Sequence, residues 1–114
     1  MDCIFCKIVN GDIPADIVYE DEAILAFRDL APQAPVHVLI IPKEHIASLD
    51  GMEDTEGHRE LMGHLLSKAK VVAGLLGLEN GYRLVNNCGE DGLQTVMHLH
   101  FHLLGGRKMG WPPG

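Results

Sequence analysis

Histidine alternates with apolar residues over seven positions near one end of this 114-residue chain, and no other feature restricts its fold as strongly. The segment reads MHLHFHL from Met97 to Leu103. In a β-strand, such alternation places the three imidazoles on one face and the large apolar side chains on the other. Same-face neighbours on a strand are about 7 Å apart. The pattern therefore predicts a strand over Val96 to Leu104 that carries three histidines on one face.

Three imidazoles in register form a chemically dense surface. Imidazole titrates near neutral pH and serves as a nucleophile, a proton donor or a metal ligand. A polar strand face can also carry a histidine simply because the ring tolerates partial burial, which is the ordinary explanation for a lone histidine. With Gln94 and Thr95 immediately upstream, the three histidines favour a reactive site.

The apolar pattern elsewhere predicts an α+β fold. Val36 to Ile41 is a continuous apolar run that ends at Pro42, which is typical of a central strand buried on both faces. Apolar residues recur every three or four positions from Thr55 to Leu76, which predicts one long helix, and Gly77 is placed to cap it. Further predicted elements are a short helical turn over Ile4 to Val9 and strands over Ile17 to Glu20, Ala23 to Asp29 and Tyr82 to Asn87.

These elements predict a single domain over residues 1–114. We expect roughly five strands in a mostly antiparallel sheet, covered by the long helix and accompanied by a short N-terminal helix. The composition, 46% hydrophobic and 22% charged, is close to that of ordinary globular proteins.

Charge and hydropathy exclude several classes of function. A net charge of -7 argues against a nucleic-acid binder, because such proteins neutralise backbone phosphates with clustered Lys and Arg. No stretch resembles a membrane span or a signal peptide, so we expect no membrane partner and a cytoplasmic location.

Two of the three cysteines, Cys3 and Cys6, are separated by two residues. In a reducing compartment this spacing favours metal binding or redox chemistry over a structural disulfide. Two such thiolates can hold one tetrahedral ion, and His45 and His98 are available as further ligands. Redox chemistry is less favoured because no thioredoxin-like βαβ unit surrounds the pair. Alternatively, both thiols are small buried side chains that pack the N-terminal segment.

Several segments together resemble the histidine-triad superfamily. Gln94 to His102 is similar to its signature, His-x-His-x-His with apolar x. Arg28 to His37 resembles its nucleoside-binding segment, and Pro42 to His45 follows at the expected spacing. The ending from Leu104 to Gly114 resembles the Hint branch, the nucleoside phosphoramidases. The resemblance covers nearly the whole chain and implies the histidine-triad fold.

The resemblance also implies a catalytic mechanism. His100, the middle histidine, would attack the α-phosphorus of a nucleotide and form a nucleotidyl-histidine that water hydrolyses. His102 would contact phosphate oxygens, and Asp29 would hold the ribose hydroxyls. His37 matches a further active-site histidine that assists proton movement, although it is equally compatible with a purely structural strand residue. The nucleotide-binding residues implied in this way are Asp29, Leu30, Asn87, Gln94, Thr95 and His102.

By the same resemblance, a structural zinc is held by Cys3, Cys6, His45 and His98, which makes His98 a ligand and not a catalyst. No organic cofactor is expected. Relatives of this kind are homodimers whose two sheets join, so we expect a homodimer.

The expected substrate is a purine nucleotide, specifically a purine nucleoside 5′-phosphoramidate that is hydrolysed. One alternative is a dinucleoside-polyphosphate hydrolase or nucleotidyl transferase, against which the Trp-Pro-Pro-Gly ending argues. Another is a non-catalytic nucleotide-binding regulatory module.

The sequence departs from the superfamily pattern at two positions. Leu93 stands where a second glycine is usual, and its side chain is expected to narrow access to the phosphate loop. Gly110 stands where relatives can carry histidine. Outside the motifs, we expect His58 and His64 to be solvated or helix-face residues, and Cys88 to have no role.

Overall fold

Five strands form one antiparallel sheet in the computed structural model, which describes residues 3–114. Every neighbouring pair in the order β1-β2-β3-β5-β4 is antiparallel. A short and a long helix complete the chain, which confirms the predicted α+β fold. The elements are α1 Ile4–Val9, β1 Ile17–Glu20, β2 Ile24–Arg28, β3 Val36–Pro42, α2 Glu56–Leu75, β4 Tyr82–Val85 and β5 Phe101–Gly105.

The central strand β3 is buried on both faces, as its apolar run with His37 near the start predicts. Val38 and Ile40 pack in the core that α2 covers. Leu39 and Ile41 face the opposite side and share a second core with Phe5 of α1. The sheet therefore separates two apolar layers, one under each helix.

Helix α2 begins and ends within one residue of the predicted positions. Thr55 caps its first turn, because the Thr55 Oγ1 accepts a hydrogen bond from the His58 amide at 3.2 Å. Gly77 follows its last turn with φ +72°, a left-handed conformation that favours glycine. Within residues 3–114, no helix is both long enough and apolar enough to cross a bilayer.

Two histidines on helix α2 make contacts with other segments that the sequence does not indicate. His64 Nε2 lies 2.7 Å from Asp21 Oδ2 and thereby links α2 to the turn between β1 and β2. His58 accepts a hydrogen bond from the Glu53 amide and lies 2.9 Å from Glu44 Oε2. Both residues lie on the helix, as expected, and each also contacts a carboxylate from another segment.

The strand predicted over Val96 to Leu104 is shorter than expected. Its pairing with β3 ends where Phe101 faces Ile40. Before that point, the His98 ring donates from Nε2 to the Pro42 carbonyl at 2.8 Å, and the Leu99 amide donates to the Ile46 carbonyl at 2.7 Å. These contacts replace the ladder, so the prediction of three histidines on one regular strand is wrong for His98 and His100.

Candidate active site and metal centre

A cavity of about 280 Å³ lies on the α1 side of the sheet. It brings together residues from α1, β2 and the segment that leads into β5. Much of its lining is apolar, including Ile4, Phe5, Ile8, Phe27, Leu39 and Val96. Against this apolar wall it presents a small set of polar groups, which is the usual composition of a small-molecule site. Four of these polar residues are Asp29, Thr95, His100 and His102.

The ring of His100 is held in one tautomer. Its Nδ1 lies 2.8 Å from the carbonyl oxygen of His98, and a carbonyl can only accept a hydrogen bond. The proton of the neutral ring is therefore on Nδ1, and Nε2 keeps its lone pair. Phe5 packs edge-on against the ring at a centroid distance of 5.2 Å, and the Asn86 Nδ2 donates to the His100 carbonyl at 2.9 Å. The residue is thus fixed at its ring and at its backbone.

A relay of hydrogen bonds assigns the opposite tautomer to His102. The backbone amide of Gln33 donates to His37 Nδ1 at 3.0 Å, which places the His37 proton on Nε2. That Nε2 lies 2.9 Å from His102 Nδ1, which must accept. His102 therefore carries its own proton on Nε2, where it can donate to a ligand.

Both rings of this relay favour the neutral form. Burial lowers the pKa of His102 to about 4, the neighbouring His100 and His37 act in the same direction, and Asp29 opposes them. Burial also lowers the pKa of His37, again against the attraction of Asp29. At neutral pH, His37 and His102 are therefore both uncharged, and each can donate a hydrogen bond from Nε2.

Asp29 is oriented by its own turn. Its Oδ1 accepts from the Ala31 amide at 2.8 Å, and its Oδ2 lies 3.5 Å from His37 Nε2. Leu30, which follows it, is fully exposed and also lines the cavity. Thr95 is exposed at the cavity as well. The structure thus brings Asp29, Leu30 and Thr95 to the same cavity as the two histidines.

Two predicted nucleotide-binding residues, Asn87 and Gln94, are not among the residues that line this cavity. The Gln94 side chain braces its own loop: Nε2 donates to the carbonyls of Ala47 and Val96, and Oε1 accepts from the Gly89 amide. Gln94 therefore shapes the loop, and the predicted phosphate contacts of both residues stay predictions.

Leu93 adopts φ +60° in this loop, a conformation that costs a side-chain-bearing residue about 1–2 kcal/mol. Its side chain is 75% exposed and does not line the cavity, so the structure does not support narrower access. The preceding glycine is required, because a Cβ at Gly92 would lie 2.5 Å from the Cys88 carbonyl oxygen.

Four potential metal ligands converge beside the cavity, in what we term the Cys/His cluster. Its donor atoms are Cys3 Sγ, Cys6 Sγ, His45 Nδ1 and His98 Nδ1, all within 4.8 Å of one another. The three S–N distances that fall within hydrogen-bonding range are 3.4, 3.5 and 3.6 Å, and the N–N distance is 3.2 Å. Tetrahedral zinc at ordinary bond lengths requires about 3.5 Å between S and N and about 3.3 Å between two N atoms. The cluster therefore fits a zinc ion in spacing and in ligand type.

The hydrogen bond from His98 Nε2 to the Pro42 carbonyl supports this assignment, because it leaves the Nδ1 lone pair free for a metal. Burial lowers the pKa of His98, and the hydrogen bond to Pro42 opposes that effect. All three cysteines are free thiols.

A second group, Asp29, His37 and His102, has donor atoms that are equally close together. There the Gln33 amide directs the His37 proton to Nε2, so that nitrogen offers no lone pair to a metal. This group is therefore a hydrogen-bond relay and not a second metal centre.

A family model for the HIT domain matches residues 10–109. The chain belongs to the HIT-domain family. It is 60% identical over 113 residues to an uncharacterized HIT-like protein of Synechococcus elongatus, covering 99% of this chain and 97% of the relative. It is 56% identical over 111 residues to a 14 kDa zinc-binding protein of Zea mays, covering 97% of this chain and 87% of the relative.

The HIT fold of this chain also matches a solved structure closely. A HIT family hydrolase from Legionella pneumophila Philadelphia 1 is 55% identical and superimposes with a TM-score of 0.95. The match covers 99% of this chain and all of the other. The sheet, the two helices and the connections that carry the site are therefore those of the HIT family.

Sequence reasoning missed three contributors to this HIT-domain site, namely Phe5, Gln33 and Asn86. Phe5 could have been noticed as the aromatic residue between two candidate metal ligands. Gln33 acts through its backbone amide, for which no side-chain signal exists. Asn86 is a polar residue directly after β4, a weak signal that the adjacent Asn87 obscured.

Proposed function

We propose that this HIT-domain protein hydrolyses purine nucleoside 5′-phosphoramidates through a nucleotidyl-histidine at His100. One observation carries the proposal: the His98 carbonyl holds the Nδ1 proton of His100, so an imidazole lone pair remains on Nε2 in a ring that lines the cavity. A nucleophilic histidine needs this arrangement, with a partner on one nitrogen and a free lone pair on the other. The similarity to a HIT family hydrolase supports hydrolysis as the type of reaction.

The reaction divides into two displacements. The His100 Nε2 attacks the α-phosphorus, a N–P bond forms to the enzyme, and the P–N bond to the amine breaks as the amine takes up a proton. Water then attacks phosphorus, the bond to His100 breaks, and the nucleoside monophosphate is released. Overall, one water molecule is consumed. Its hydroxyl group becomes bonded to phosphorus, and its remaining proton replaces the proton that the departing amine took up. Two such steps replace one difficult displacement.

The neighbouring groups have complementary roles in this proposal. The neutral His102 donates from Nε2 to a phosphoryl oxygen, which stabilises negative charge without a basic patch. Asp29 accepts hydrogen bonds from the ribose hydroxyls, with Leu30 beside it. The apolar wall receives the base. The phosphate groups are contacted or positioned by the loop that includes Asn87, Gln94 and Thr95. These residues either bind the phosphate oxygens directly or fix the conformation of the loop.

We further propose that the Cys/His cluster holds a structural zinc ion, which supplies a cross-link between α1, the segment after β3 and the segment before β5. The naming of the maize relative as a zinc-binding protein supports this assignment. Cys3, Cys6, His45 and His98 are all used as ligands, which is typical of a closed structural site.

We also propose a homodimer. Among residues 3–114, strand β4 lies at an edge of the sheet and pairs with β5 alone, so its outer backbone groups can pair with a strand of another chain. Val71 and Leu75, one turn apart on α2, are 44% and 64% exposed, and Tyr82 of β4 is 41% exposed. Two copies that join through β4 and this side of α2 would cover these apolar side chains.

Single-turnover hydrolysis of an adenosine 5′-phosphoramidate tests the proposed chemistry. We expect the wild type to form an acid-labile nucleotidyl adduct, detected by mass spectrometry, and to release AMP. His100→Ala should lose both adduct and turnover while it retains AMP binding. His64→Gln is the matched control, because this histidine lies on the α2 side and should leave turnover intact. A wild type that binds AMP but shows neither adduct nor turnover would support the regulatory-module alternative.

A further inference from the structure

The segment that contains the proposed nucleophile His100 is not held in place by strand pairing. Pairing of β5 with β3 begins only at Phe101, so segment 98–100 lies outside the ladder. It is nevertheless buried, with His98, Leu99 and His100 each at most 4% exposed. Other contacts must therefore set its conformation.

Three of those contacts lead to the Cys/His cluster. The Nδ1 proton of His100 is held by the carbonyl of His98, whose ring belongs to the cluster. The Leu99 amide donates to the carbonyl of Ile46, which directly follows the cluster residue His45. Two further contacts do not require a metal: Asn86 Nδ2, at the end of β4, donates to the His100 carbonyl, and His98 Nε2 donates to the Pro42 carbonyl.

The third contact to the cluster comes through α1. Phe5 lies in sequence between Cys3 and Cys6, and its ring packs edge-on against His98 and His100 at centroid distances of 5.8 and 5.2 Å. Ile4, Phe5 and Ile8 also line the cavity. The position of α1 thus determines both one wall of the cavity and the packing of the His100 ring.

The main core does not depend on the cluster in the same way. The core between the sheet and α2 includes residues such as Ile40, Leu65 and Leu103, and none of the four cluster residues belongs to it. Loss of a metal would remove the links that run through it from α1 to His45 and His98. Phe5 would still pack with Leu39 and Ile41 in the second core, and the core under α2 would stay packed.

We propose that a metal at the Cys/His cluster positions His100 and the α1 wall, so that nucleotide affinity and the His100 tautomer depend on metal loading while the sheet and α2 do not. This inference rests on the proposed nucleotide site. The cluster residues are positioning residues in this scheme, and none of them touches substrate.

The test compares zinc-loaded wild type, chelator-treated wild type and Cys3→Ser/Cys6→Ser, with Cys88→Ser as a control that keeps all four ligands. AMP affinity is measured by titration calorimetry, the tautomer of His100 by ¹⁵N NMR of its ring, and the packing of α2 by amide exchange. We expect metal loss to weaken AMP binding by about tenfold, within the usual range of coupling between two sites. We also expect mixed tautomers at His100 and unchanged protection of α2, with Cys88→Ser matching zinc-loaded wild type.

Two results overturn the inference. One is an AMP affinity and a His100 tautomer that do not change on metal removal. The other is loss of α2 protection together with AMP binding, because the metal would then maintain the whole fold. If zinc-loaded wild type binds no AMP, the proposed function fails, whereas the tautomer measurement still decides whether the metal positions His100.

Discussion

The two histidines at the cavity differ in which ring nitrogen carries the proton, because different groups contact each ring. A backbone carbonyl accepts the Nδ1–H hydrogen bond of His100, whereas His102 Nδ1 accepts a hydrogen bond from His37 Nε2. One ring therefore presents a lone pair and the other a donor, although the two residues are separated by a single phenylalanine. Their distinct proposed roles follow from these contacts.

His37→Phe tests the relay at this scale. Without the His37 Nε2 proton, His102 is no longer restricted to the tautomer that donates from Nε2. We expect kcat for phosphoramidate hydrolysis to fall by up to about a hundredfold, the loss found when one transition-state donor is removed. Steady-state kinetics measures the effect.

Gln33→Ala is the matched control for that experiment. Gln33 acts on His37 through its backbone amide, which alanine retains, so kcat should stay close to the wild-type value. A His37→Phe variant with wild-type kcat would contradict the relay, and a large loss in Gln33→Ala would show that its side chain matters instead.

At the scale of elements, Asp21 links the turn after β1 to α2. Its Oδ1 accepts from the amides of Ala23 and Ile24, and its Oδ2 contacts the Tyr19 hydroxyl and His64 Nε2. Burial acts to raise the pKa of Asp21, but hydrogen bonds from Ala23, His64, Ile24 and Tyr19 outweigh it and hold the pKa well below its usual range. The ionised carboxylate therefore stabilises the junction of sheet and helix.

This shift predicts a loss of stability in acid. Because the folded-state pKa of Asp21 is depressed, its contribution is complete above its ordinary pKa of about 3.9 and is lost as the pH falls toward the folded-state value. Asp21→Asn should lower the free energy of unfolding by about 1.5–3 kcal/mol at pH 7, the range for hydrogen bonds to a charged group. The same variant should flatten the pH dependence below pH about 4.

Urea unfolding at several pH values measures both effects. Asp12→Asn, which removes an exposed carboxylate, serves as the control and should behave as wild type. An Asp21→Asn variant that retains the full acid dependence of wild type would assign that dependence to other carboxylates.

At the scale of the whole molecule, the sheet separates two layers of different character. The α2 side is an apolar core of side chains such as Ile24, Val38 and Leu65. The α1 side combines a smaller apolar core with the cavity and the Cys/His cluster. Stability and the proposed chemistry are therefore assigned largely to opposite faces of one sheet.

The proposed dimer belongs to this scale. Light scattering after size exclusion should give about twice the 12.5 kDa chain mass. Val71→Glu/Leu75→Glu should shift the protein to a monomer, because charge would be buried at the interface. Leu66→Glu is the control, since Leu66 is equally exposed but lies on another side of the same helix, and should stay dimeric. A wild-type monomer at micromolar concentration would exclude the dimer.

Elements with a local burial pattern could be predicted from the order of residues alone. The apolar run of β3 and the helical spacing of α2 identify both elements to within a residue, because side-chain burial repeats with the geometry of each backbone. The Cys-x-x-Cys spacing also indicated a metal-binding pair, and the resemblance to the histidine-triad superfamily implied His45 and His98 as further ligands and pointed to the two cavity histidines. These assignments need only the order of residue types along the chain.

The start of β5 and the protonated nitrogen of each imidazole depend on contacts between residues that are distant in the chain, so they could be read only from the folded structure. The strand pattern continues through His98, yet contacts with Pro42 and Ile46 draw the backbone away from the ladder. The tautomer of His102 depends on Gln33, 69 positions earlier in the chain, through a backbone amide that every residue except proline possesses. Such contacts leave no trace in residue identity, because they arise from how distant backbone groups come together in the folded chain.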